Sequence, residues 1–303
     1  MKSSAKWVIG ILGIIILIGF GSMLFLYLIF TQSSDENVEY VSGVGEKIAV
    51  VELKGVIVES ESIVKQFKKY QKDKSIKAII LHVESPGGGV VASHEIYESI
   101  RQARQSGKPI VVSMGSVAAS GGYYVSCGAN LIVANPGTLT GSIGVISQFL
   151  RLDPMLQKVG VEMNTIKSGK YKDAGNPFRE MTKEDKIYFQ DLMDDVHRQF
   201  IDIVEKERKL DHAKLIGFAD GRVFTGEQAK NMGLVDSLGT FEDAVKITGR
   251  IAGIQGEPSI VKEQKRKTFI EKVFGEVKIN ELLSLKDEIF NQSILQYKLT
   301  GPY

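Results

Sequence analysis

The sequence predicts an α/β protein with a largely parallel sheet, preceded by one membrane-spanning helix. Two observations lead to the sheet: short apolar runs alternate with amphipathic ones from residue 48 onward, and glycine-rich turns follow two of the apolar runs. A third observation leads to the membrane helix, because residues 7–30 are apolar and uncharged.

The apolar runs have the length of strands, and the segments between them have the period of helices. We expect helices over residues 62–72, 93–104 and 183–208, the last with apolar positions at four-residue steps from Tyr188 to Val204. The predicted strands are "IAVVEL", "GVIV", "AIILHV", "PIVVSM", "LIVAN", "GVIS" and "MNTIKSG". This order is typical of βα units around a parallel sheet.

The apolar run at residues 7–30 is long enough to cross a hydrocarbon core of about 30 Å. Lys2 and Lys6 precede it and acidic residues follow it, which predicts a cytoplasmic N-terminus and a globular part on the far face of the membrane. A cleaved signal peptide is the alternative. The run exceeds a normal signal-peptide core and no small-residue cleavage site follows it, which favours a retained anchor.

Composition excludes several classes of protein. The 303 residues include 38 basic and 36 acidic ones for a net charge of +2, and the basic residues are scattered, so nucleic acid is not an expected partner. Cys127 is the only cysteine, which excludes an intrachain disulfide and argues against a thiolate metal cluster. We predict no metal and no cofactor.

Four segments are expected along the chain. Residues 1–30 form the cytoplasmic N-terminus and anchor, 31–46 a polar linker, 47–254 the catalytic domain, and 255–303 a helical segment and tail. The last segment combines a basic cluster at residues 262–267 with an apolar helical pattern. It is expected to cover the domain itself, a neighbouring protomer or a membrane surface. Docking of residues 291–303 into an active site, or self-cleavage there, stays open.

A glycine-rich turn at residues 85–89, Ser-Pro-Gly-Gly-Gly, follows the strand "AIILHV" and precedes a helix. Glycines at such a turn can take positive φ and bring backbone N–H groups close to a ligand. Donors aimed at one point stabilise the oxyanion formed during attack on a carbonyl. Glycine-rich turns also bind phosphates or only reverse the chain, so this motif alone does not establish an oxyanion-binding site.

A second segment, "VSMGSVAASGGYYVSC", supplies a candidate nucleophile. Ser120 follows a predicted strand and is placed to begin a helix, where the helix dipole favours developing negative charge. Ser116 and Ser126 compete for the role, but only Ser120 is followed by two glycines whose N–H groups can add an oxyanion donor.

The candidate base comes from a third segment, "TIKSGKYKDAGNPF". Serine needs a neighbouring base, and a lysine can serve only if it is uncharged, which requires a pKa far below the usual value of about 10.4. Lys167, Lys170 and Lys172 are all candidates, and their spacing does not choose among them.

Five motifs in order resemble the signal peptide peptidase A family, in its short single-repeat form. They are Ser85-Pro86-Gly87-Gly88, the Ala119–Tyr124 run "ASGGYY", the run "LTGSIGV" at 139–145, Gly169-Lys170-Tyr171-Lys172, and "GRVFTGEQAKNMGLVD" at 221–236. The resemblance covers residues 48–251. It implies the ββα superhelix of the Clp protease and crotonase superfold, with the transmembrane helix added in front.

Carried onto this sequence, the resemblance assigns a role to each motif. It makes Ser120 the nucleophile, Lys172 the general base and Ser142 the residue that orients the lysine. The oxyanion donors are the N–H groups of Gly87 or Gly88 and of Gly121. The Clp branch instead uses a histidine about two dozen residues after its serine, where this chain reads "GVISQFLRLDP". His82, His94, His197 and His212 are therefore expected to be structural.

The resemblance also implies a function and an assembly. It describes a membrane-anchored serine endopeptidase with a Ser–Lys dyad, which degrades signal peptides left in the bilayer and other membrane-associated or small proteins. Such proteins assemble as rings, commonly homo-octamers, in which the serine of one chain meets the lysine of the next. Two alternatives stay open: a crotonase-like acyl-CoA enzyme using the same glycine cradle, and a non-catalytic membrane scaffold.

Overall fold

The computed structural model describes residue 13, residues 19–21, residue 23, residues 37–265 and residues 296–298. Contacts divide the chain into two compact units, Val41–Lys262 with Gln292–Tyr303, and Met1–Tyr40 with Glu263–Asn291. The described residues between 13 and 23 are helical, and no helix in the described part of the chain is long and apolar enough to cross a bilayer. The predicted anchor at residues 7–30 lies for the most part outside the described residues.

The described strands and helices alternate along the chain. The strands are β1 (Asn37–Ser42), β2 (Lys47–Lys54), β3 (Ile76–Ser85), β4 (Gly87–Gly89), β5 (Ile110–Ala119), β6 (Leu131–Ala134), β7 (Leu139–Gly141), β8 (Val223–Thr225), β9 (Ser237–Leu238), β10 (Ser259–Lys265) and β11 (Gln296–Lys298). The helices are α1 (Glu61–Lys72), α2 (Val90–Gln105), α3 (Gly121–Ser126), α4 (Asp153–Lys158), α5 (Lys183–Arg208), α6 (His212–Ile216), α7 (Gly226–Met232) and α8 (Phe241–Ile251).

The main sheet has the strand order β1-β10-β2-β3-β5-β6-β9. Neighbours from β10 to β9 run parallel, while β7 pairs in parallel with β5 and antiparallel with β8. A separate antiparallel pair joins β11 to β4. The carboxyl ends of β3 and β5 therefore lie at the same edge of the sheet, which brings the turn after Ser85 close to Ser120.

The core packs on both faces of the parallel strands, as expected of a buried sheet. One face is covered by α1, α2, α3 and α5 through large buried rings, and the other by α8. The rings on the first face include Phe67, Tyr97, Tyr123 and Phe200, each fully buried. The site at the sheet edge thus stands on a rigid, fully packed support.

Most sequence predictions of elements are confirmed. The helix at 183–208 has the expected limits, and it begins with a capping box in which Thr182 Oγ1 and the Asp185 carboxylate each accept the other's backbone N–H. The predicted strands at "IAVVEL", "AIILHV", "PIVVSM" and "LIVAN" are present as parts of β2, β3, β5 and β6. The α/β prediction with a parallel sheet is correct.

Other local predictions are wrong. The run "GVIS" contributes only a single bridge residue, Ile146, and follows the positive φ angles at Gly141 and Ser142. The run "MNTIKSG" forms no strand and is exposed. The run "GVIV" contributes only a single bridge, from Ile57 to Gly88. Within the predicted linker residues 37–42 form β1, and residues 259–265 of the predicted helical segment form β10. The helix expected after residue 267 lies outside the described residues.

Candidate active site

The three glycines of β4 form a short strand between two other backbones. On one side the Ile57 N–H donates to the Gly87 carbonyl at 2.8 Å, and the Gly89 N–H donates to the Ile57 carbonyl at 2.7 Å. Because successive residues of a strand direct their peptide groups to opposite edges, the Gly88 N–H faces the other edge. That edge is occupied by β11, with Tyr297 opposite Gly88.

Ser120 stands where β5 turns into α3. Its φ of 53° and ψ of −115° are unusual for a residue with a side chain, and its N–H donates to the Gly141 carbonyl at 2.8 Å. The Oγ is buried and has no hydrogen-bond partner among the described residues. An unsatisfied buried hydroxyl on a strained backbone costs stability and is characteristic of a functional position.

The two competing serines lie in ordinary structural surroundings. Ser126 Oγ donates to the Gly122 carbonyl at 2.7 Å, inside α3. Ser116 is exposed where the pairing between β3 and β5 shifts register, and its N–H donates to the Glu84 carboxylate at 2.7 Å. Neither serine is buried beside a free donor cradle.

The candidate oxyanion glycines converge beside Ser120. A Cβ added to Gly121 would lie 3.1 Å from the Gly88 nitrogen and 2.7 Å from Ser93 Oγ. A Cβ added to Gly87, where φ is +99°, would lie 2.6 Å from the Gly121 nitrogen. Any side chain at these positions would fill the space that the N–H groups line, which is why glycine is required there.

The three candidate lysines differ in their contacts within the chain. Lys167 forms an ion pair with Asp173, and the Lys170 ammonium lies 5.3 Å from the centre of the Tyr171 ring. Lys172 lies in the same turn, is exposed, and its Nζ has no ion pair or hydrogen bond within the described residues. Lys167 is therefore engaged by an ion pair within the chain, whereas Lys170 and Lys172 are both exposed.

Ion pairs hold the turn that carries Lys172. Arg179 donates to the Asp173 carboxylate at 2.8 Å and to the Asp185 carboxylate at 2.6 Å. Arg179, followed by Lys167, holds the pKa of Asp173 well below its usual range, and Arg179 lowers the pKa of Asp185 to about 2. Since Asp185 also caps α5, the turn is fixed to the start of that helix.

Ser142 follows Gly141, whose carbonyl accepts the hydrogen bond from the Ser120 N–H. It is buried, has a φ of 51°, and its N–H donates to the Arg222 carbonyl at 2.9 Å. It lines a cleft of 610 Å³ together with Val145, Asp194 and His197.

The four histidines occur in positions that suit structural roles. His94 Nδ1 lies 2.8 Å from the Tyr124 hydroxyl, and His197 Nε2 lies 3.2 Å from the Ile143 carbonyl. His212 pairs with Glu205 on the surface. His82 packs edge-on against the Phe241 ring at 5.5 Å, on the face covered by α8.

Comparison with known proteins identifies the family. Residues 102–254 match Peptidase family S49, and residues 47–135 match the Clp protease family. A Synechocystis sp. protein named a protease is 43% identical over 69% of this chain and 76% of its own length. The chain belongs to peptidase family S49. It is therefore a serine peptidase, and the acyl-CoA enzyme and scaffold alternatives are set aside.

Further S49 relatives carry more specific names. A protein of Enterococcus faecium named signal peptide peptidase SppA is 39% identical over 61% of this chain and 54% of its own length. Protease 4 of Salmonella typhi is 36% identical over 75% of this chain and 39% of its own length. The predicted resemblance is confirmed, and the Clp protease match supports the predicted superfold over residues 47–135. A ClpP1 mutant from Listeria monocytogenes aligns over 64% of this chain and 93% of its own, with 16% identity and a TM-score of 0.44.

The pairing of β11 with β4 was not predicted from the sequence as a definite contact. The β11 strand adds to the glycine strand β4 and places Tyr297 in a buried pocket. From the sequence, docking of residues 291–303 into the active site stayed an open alternative. The strand β11 has only three residues, and no alternating apolar pattern around them predicts a strand.

Proposed function

We propose that this S49 member is an endopeptidase with a Ser–Lys dyad, in which uncharged Lys172 takes the proton from Ser120 Oγ. The serine then attacks a peptide carbonyl, and the N–H groups of Gly88 and Gly121 stabilise the oxyanion. The lysine returns the proton to the leaving amine, and water activated by the same lysine hydrolyses the ester. The observation that carries this proposal is the buried, unpartnered Ser120 Oγ beside the converging glycine N–H groups.

The dyad is proposed to form between two copies of the chain. Ser120 is 1% exposed, whereas Lys172 is exposed and its ammonium has no partner in the described residues. The segment around Lys172 also carries exposed apolar side chains, including Leu150 at 71% and Ile166 at 101% exposure. Such side chains are expected to be covered in an assembly, for which the resemblance suggests a homo-octamer.

The proposed substrates are signal peptides left in the membrane and other small or membrane-associated proteins. A relative named for signal peptides supports this assignment, and an anchor at residues 7–30 would hold the site near the bilayer. In that arrangement the N-terminus is cytoplasmic and the catalytic domain lies on the far side of the membrane.

A mixing experiment tests both the dyad and its sharing. Purified Ser120→Ala and Lys172→Ala chains should each be inactive on a casein substrate, and co-refolded mixtures should recover activity because some sites then contain an intact serine and lysine. Lys170→Ala mixed with Ser120→Ala provides the control, in which activity should come from the lysine variant alone. If the mixture of the two inactive chains stays inactive while each assembles normally, the shared site is wrong.

Fluorophosphonate labelling tests the nucleophile separately. The probe should modify Ser120 in the unmodified chain, as located by peptide mass, and should leave the Ser120→Ala chain unlabelled. Labelling and turnover should both increase toward alkaline pH, because only the uncharged form of a lysine base accepts the serine proton. A rate that is constant from acidic to alkaline pH would argue against a lysine base.

A further inference from the structure

The strand β5 contains a bulge shortly before Ser120. Val83 of β3 pairs with Met114, and Ser85 pairs with Ala118, so β3 advances by two residues where β5 advances by four. The additional residues of β5 have no partner on β3, and bulges of this kind change the direction of a strand, often beside an active site. The bulge at residues 115–117 therefore sets where the end of β5 lies, and with it the position of Ser120.

The Glu84 side chain binds the backbone of this bulge. Its Oε2 accepts the Ser116 N–H at 2.7 Å, and its Oε1 accepts the Val117 N–H at 3.1 Å. Hydrogen bonds to an ionised acceptor are about twice as strong as neutral ones. A Cβ added to Gly115 would lie 2.0 Å from Glu84 Oε2, so glycine is what allows the carboxylate to approach. One carboxylate thus holds two consecutive N–H groups of the bulge.

The bulge is also held by a second side chain and leads directly to the nucleophile. Thr138 Oγ1 donates to the Gly115 carbonyl at 2.7 Å. The residues of β5 that follow the bulge pair in parallel with β7, and the Ser120 N–H then donates to the Gly141 carbonyl at 2.8 Å. A displacement of the bulge is therefore transmitted along a short paired strand to Ser120, which gives Glu84 control over the position of the serine.

The backbone of Glu84 belongs to the other half of the site, the glycine turn. The Gly55 N–H donates to the Glu84 carbonyl at 2.9 Å, which fixes this end of β3 to the end of β2. The next residue, Ser85, is fully buried, and its Oγ accepts the Gly87 N–H at 3.1 Å. Glu84 therefore connects the strand that ends at Ser120 with the turn that carries the oxyanion glycines. A misplacement of about 1 Å between reacting groups can cost roughly 100-fold in rate.

We propose that Glu84 is a positioning residue that sets the distance between the Ser120 nucleophile and the glycine N–H groups. Its carboxylate is engaged by the bulge, so it acts through the position of Ser120 rather than on the substrate. The inference rests on the proposed function, because it takes Ser120 as the nucleophile. Loss of the carboxylate releases the bulge but leaves the glycine strand β4 in place, so kcat should fall while KM changes little.

Substitutions of Glu84 in the full-length protein, assayed in detergent with casein, provide the first test. Glu84→Gln keeps one oxygen acceptor and should lower kcat about tenfold, whereas Glu84→Ala loses both hydrogen bonds and should lower kcat about 100-fold. KM should stay within about threefold in each. Glu52→Gln is the matched control, since Glu52 lies on the neighbouring strand β2 and its carboxylate pairs with Lys54 and Lys262 instead. Equal kcat values for Glu84→Ala and Glu52→Gln would overturn the proposal.

A second variant displaces the carboxylate without removing it. The methyl group of Gly115→Ala would occupy the position of Glu84 Oε2, so this variant should lower kcat about tenfold as well. In the double variant Gly115→Ala with Glu84→Ala, kcat should be no lower than in Glu84→Ala alone, because the methyl group then has no carboxylate to displace. Losses that multiply in the double variant would show that Gly115 and Glu84 act separately, which contradicts the proposal.

The time course of fluorophosphonate labelling separates a displaced serine from a partly unfolded chain. A folded chain with a displaced Ser120 is labelled slowly but completely, and this is the result expected for Glu84→Gln. Labelling at the unmodified rate to a reduced extent would mean that Glu84 only stabilises the fold, and the proposal would be wrong. If the unmodified chain is labelled at Ser120 and the Glu84 variants match it, only the positioning role fails. If Ser120 of the unmodified chain is not labelled, the proposed function itself fails.

Discussion

Ser120 and Lys172 lie in regions of contrasting construction. The serine ends a buried strand, has a strained backbone and lies among glycines that permit no side chain, and its own side chain is 1% exposed. The lysine lies in an exposed turn that packs little against the core and is fixed by ion pairs through Arg179. Packing of buried residues holds the Ser120 region, and ion pairs hold the Lys172 turn.

This contrast separates the part of the active site that one chain can form by itself from the part that it cannot. An oxyanion cradle must be rigid before substrate arrives, and the packed sheet edge supplies that rigidity. A lysine base needs a dry surrounding to be uncharged, and the exposed turn offers none within the described residues. The missing surface is expected to come from another copy of the chain.

The largest expected effect separates Lys172 from its neighbour in the same turn. Lys172→Ala should lower kcat by about 10³-fold or more, because a serine without its base retains little nucleophilic catalysis. Lys170→Ala should remain within about threefold of the unmodified chain, since it loses only one exposed contact with the Tyr171 ring. Steady-state hydrolysis of casein measures both. Equal losses in the two variants would point to the turn as a whole rather than to Lys172.

The next effect tests the cradle in the buried region. Gly87→Ala should lower kcat/KM about 100-fold, because the new methyl group would occupy the space between the Gly121 nitrogen and the peptide carbonyl. Gly107→Ala is the matched control, since its φ of +89° imposes a similar strain while its Cβ would meet nothing within 4 Å. Gly107→Ala should lose about 1 kcal/mol in the free energy of unfolding from backbone strain, and Gly87→Ala should lose more, because its Cβ would also lie 2.6 Å from the Gly121 nitrogen. Only Gly87→Ala should lose activity. Activity lost equally in both would contradict the cradle.

A smaller effect tests how the exposed region is held. Arg179→Gln should lower activity about tenfold and increase cleavage by trypsin between residues 150 and 180, because Asp173 and Asp185 lose their common partner. Arg198→Gln is the control, since its ion pair with Asp195 on α5 is exposed and such pairs contribute little. If Arg179→Gln keeps full activity, charge does not position the turn.

The turn at Ser120, between β5 and α3, gives an effect of the opposite sign, an increase in stability. Ser120→Gly should raise the free energy of unfolding by about 1 kcal/mol, because it removes both the strained φ of 53° and a buried hydroxyl without a partner. Ser126→Gly should lower it by a similar amount, since that serine lies in α3 and donates to Gly122. Urea unfolding measures both. A destabilised Ser120→Gly chain would mean that the serine is not strained.

The sequence predicted the packed region better than the exposed one, for a physical reason. Apolar runs that end in a buried sheet, and the four-residue steps of residues 183–208, reflect burial within the same chain. In "MNTIKSG" the apolar Met163 and Ile166 suggested a strand but stay exposed, because no surface of the described chain covers them. The choice of Lys172 over Lys167 came from family resemblance, and the structure adds that Lys167 is paired with Asp173.

Contacts between distant residues could not be predicted from local pattern. The left-handed turn at Ser120 depends on the Gly141 carbonyl, and the pocket of Tyr297 depends on Tyr124 from α3 and Phe200 from α5. Each of these joins segments that are far apart in sequence, and a non-glycine residue at positive φ has no sequence signature. Ser120 was found through its two following glycines rather than through its conformation.

The smallest expected effect concerns acid stability in the buried region. Burial lowers the pKa of His82, with Glu84 and Glu52 opposing and Lys54 assisting, and its Nδ1 has no partner among the described residues. The unfolded chain takes up this proton near pH 6.5 and the folded chain only at lower pH, so stability is complete above about pH 6.5 and falls as pH decreases toward the folded pKa. His82→Val should remove that contribution, which we expect to be no more than about 1 kcal/mol given the partial exposure of the ring.

Urea unfolding of both chains between pH 5 and pH 8 measures this contribution. The two stability curves should run parallel above about pH 7 and diverge below it, with the His82→Val curve declining less. The turn around Lys172 is held by Asp173 and Asp185, whose low pKa values keep them ionised throughout this range, so the turn itself should not respond. A decline of equal size in both chains would place the acid-sensitive group elsewhere in the fold.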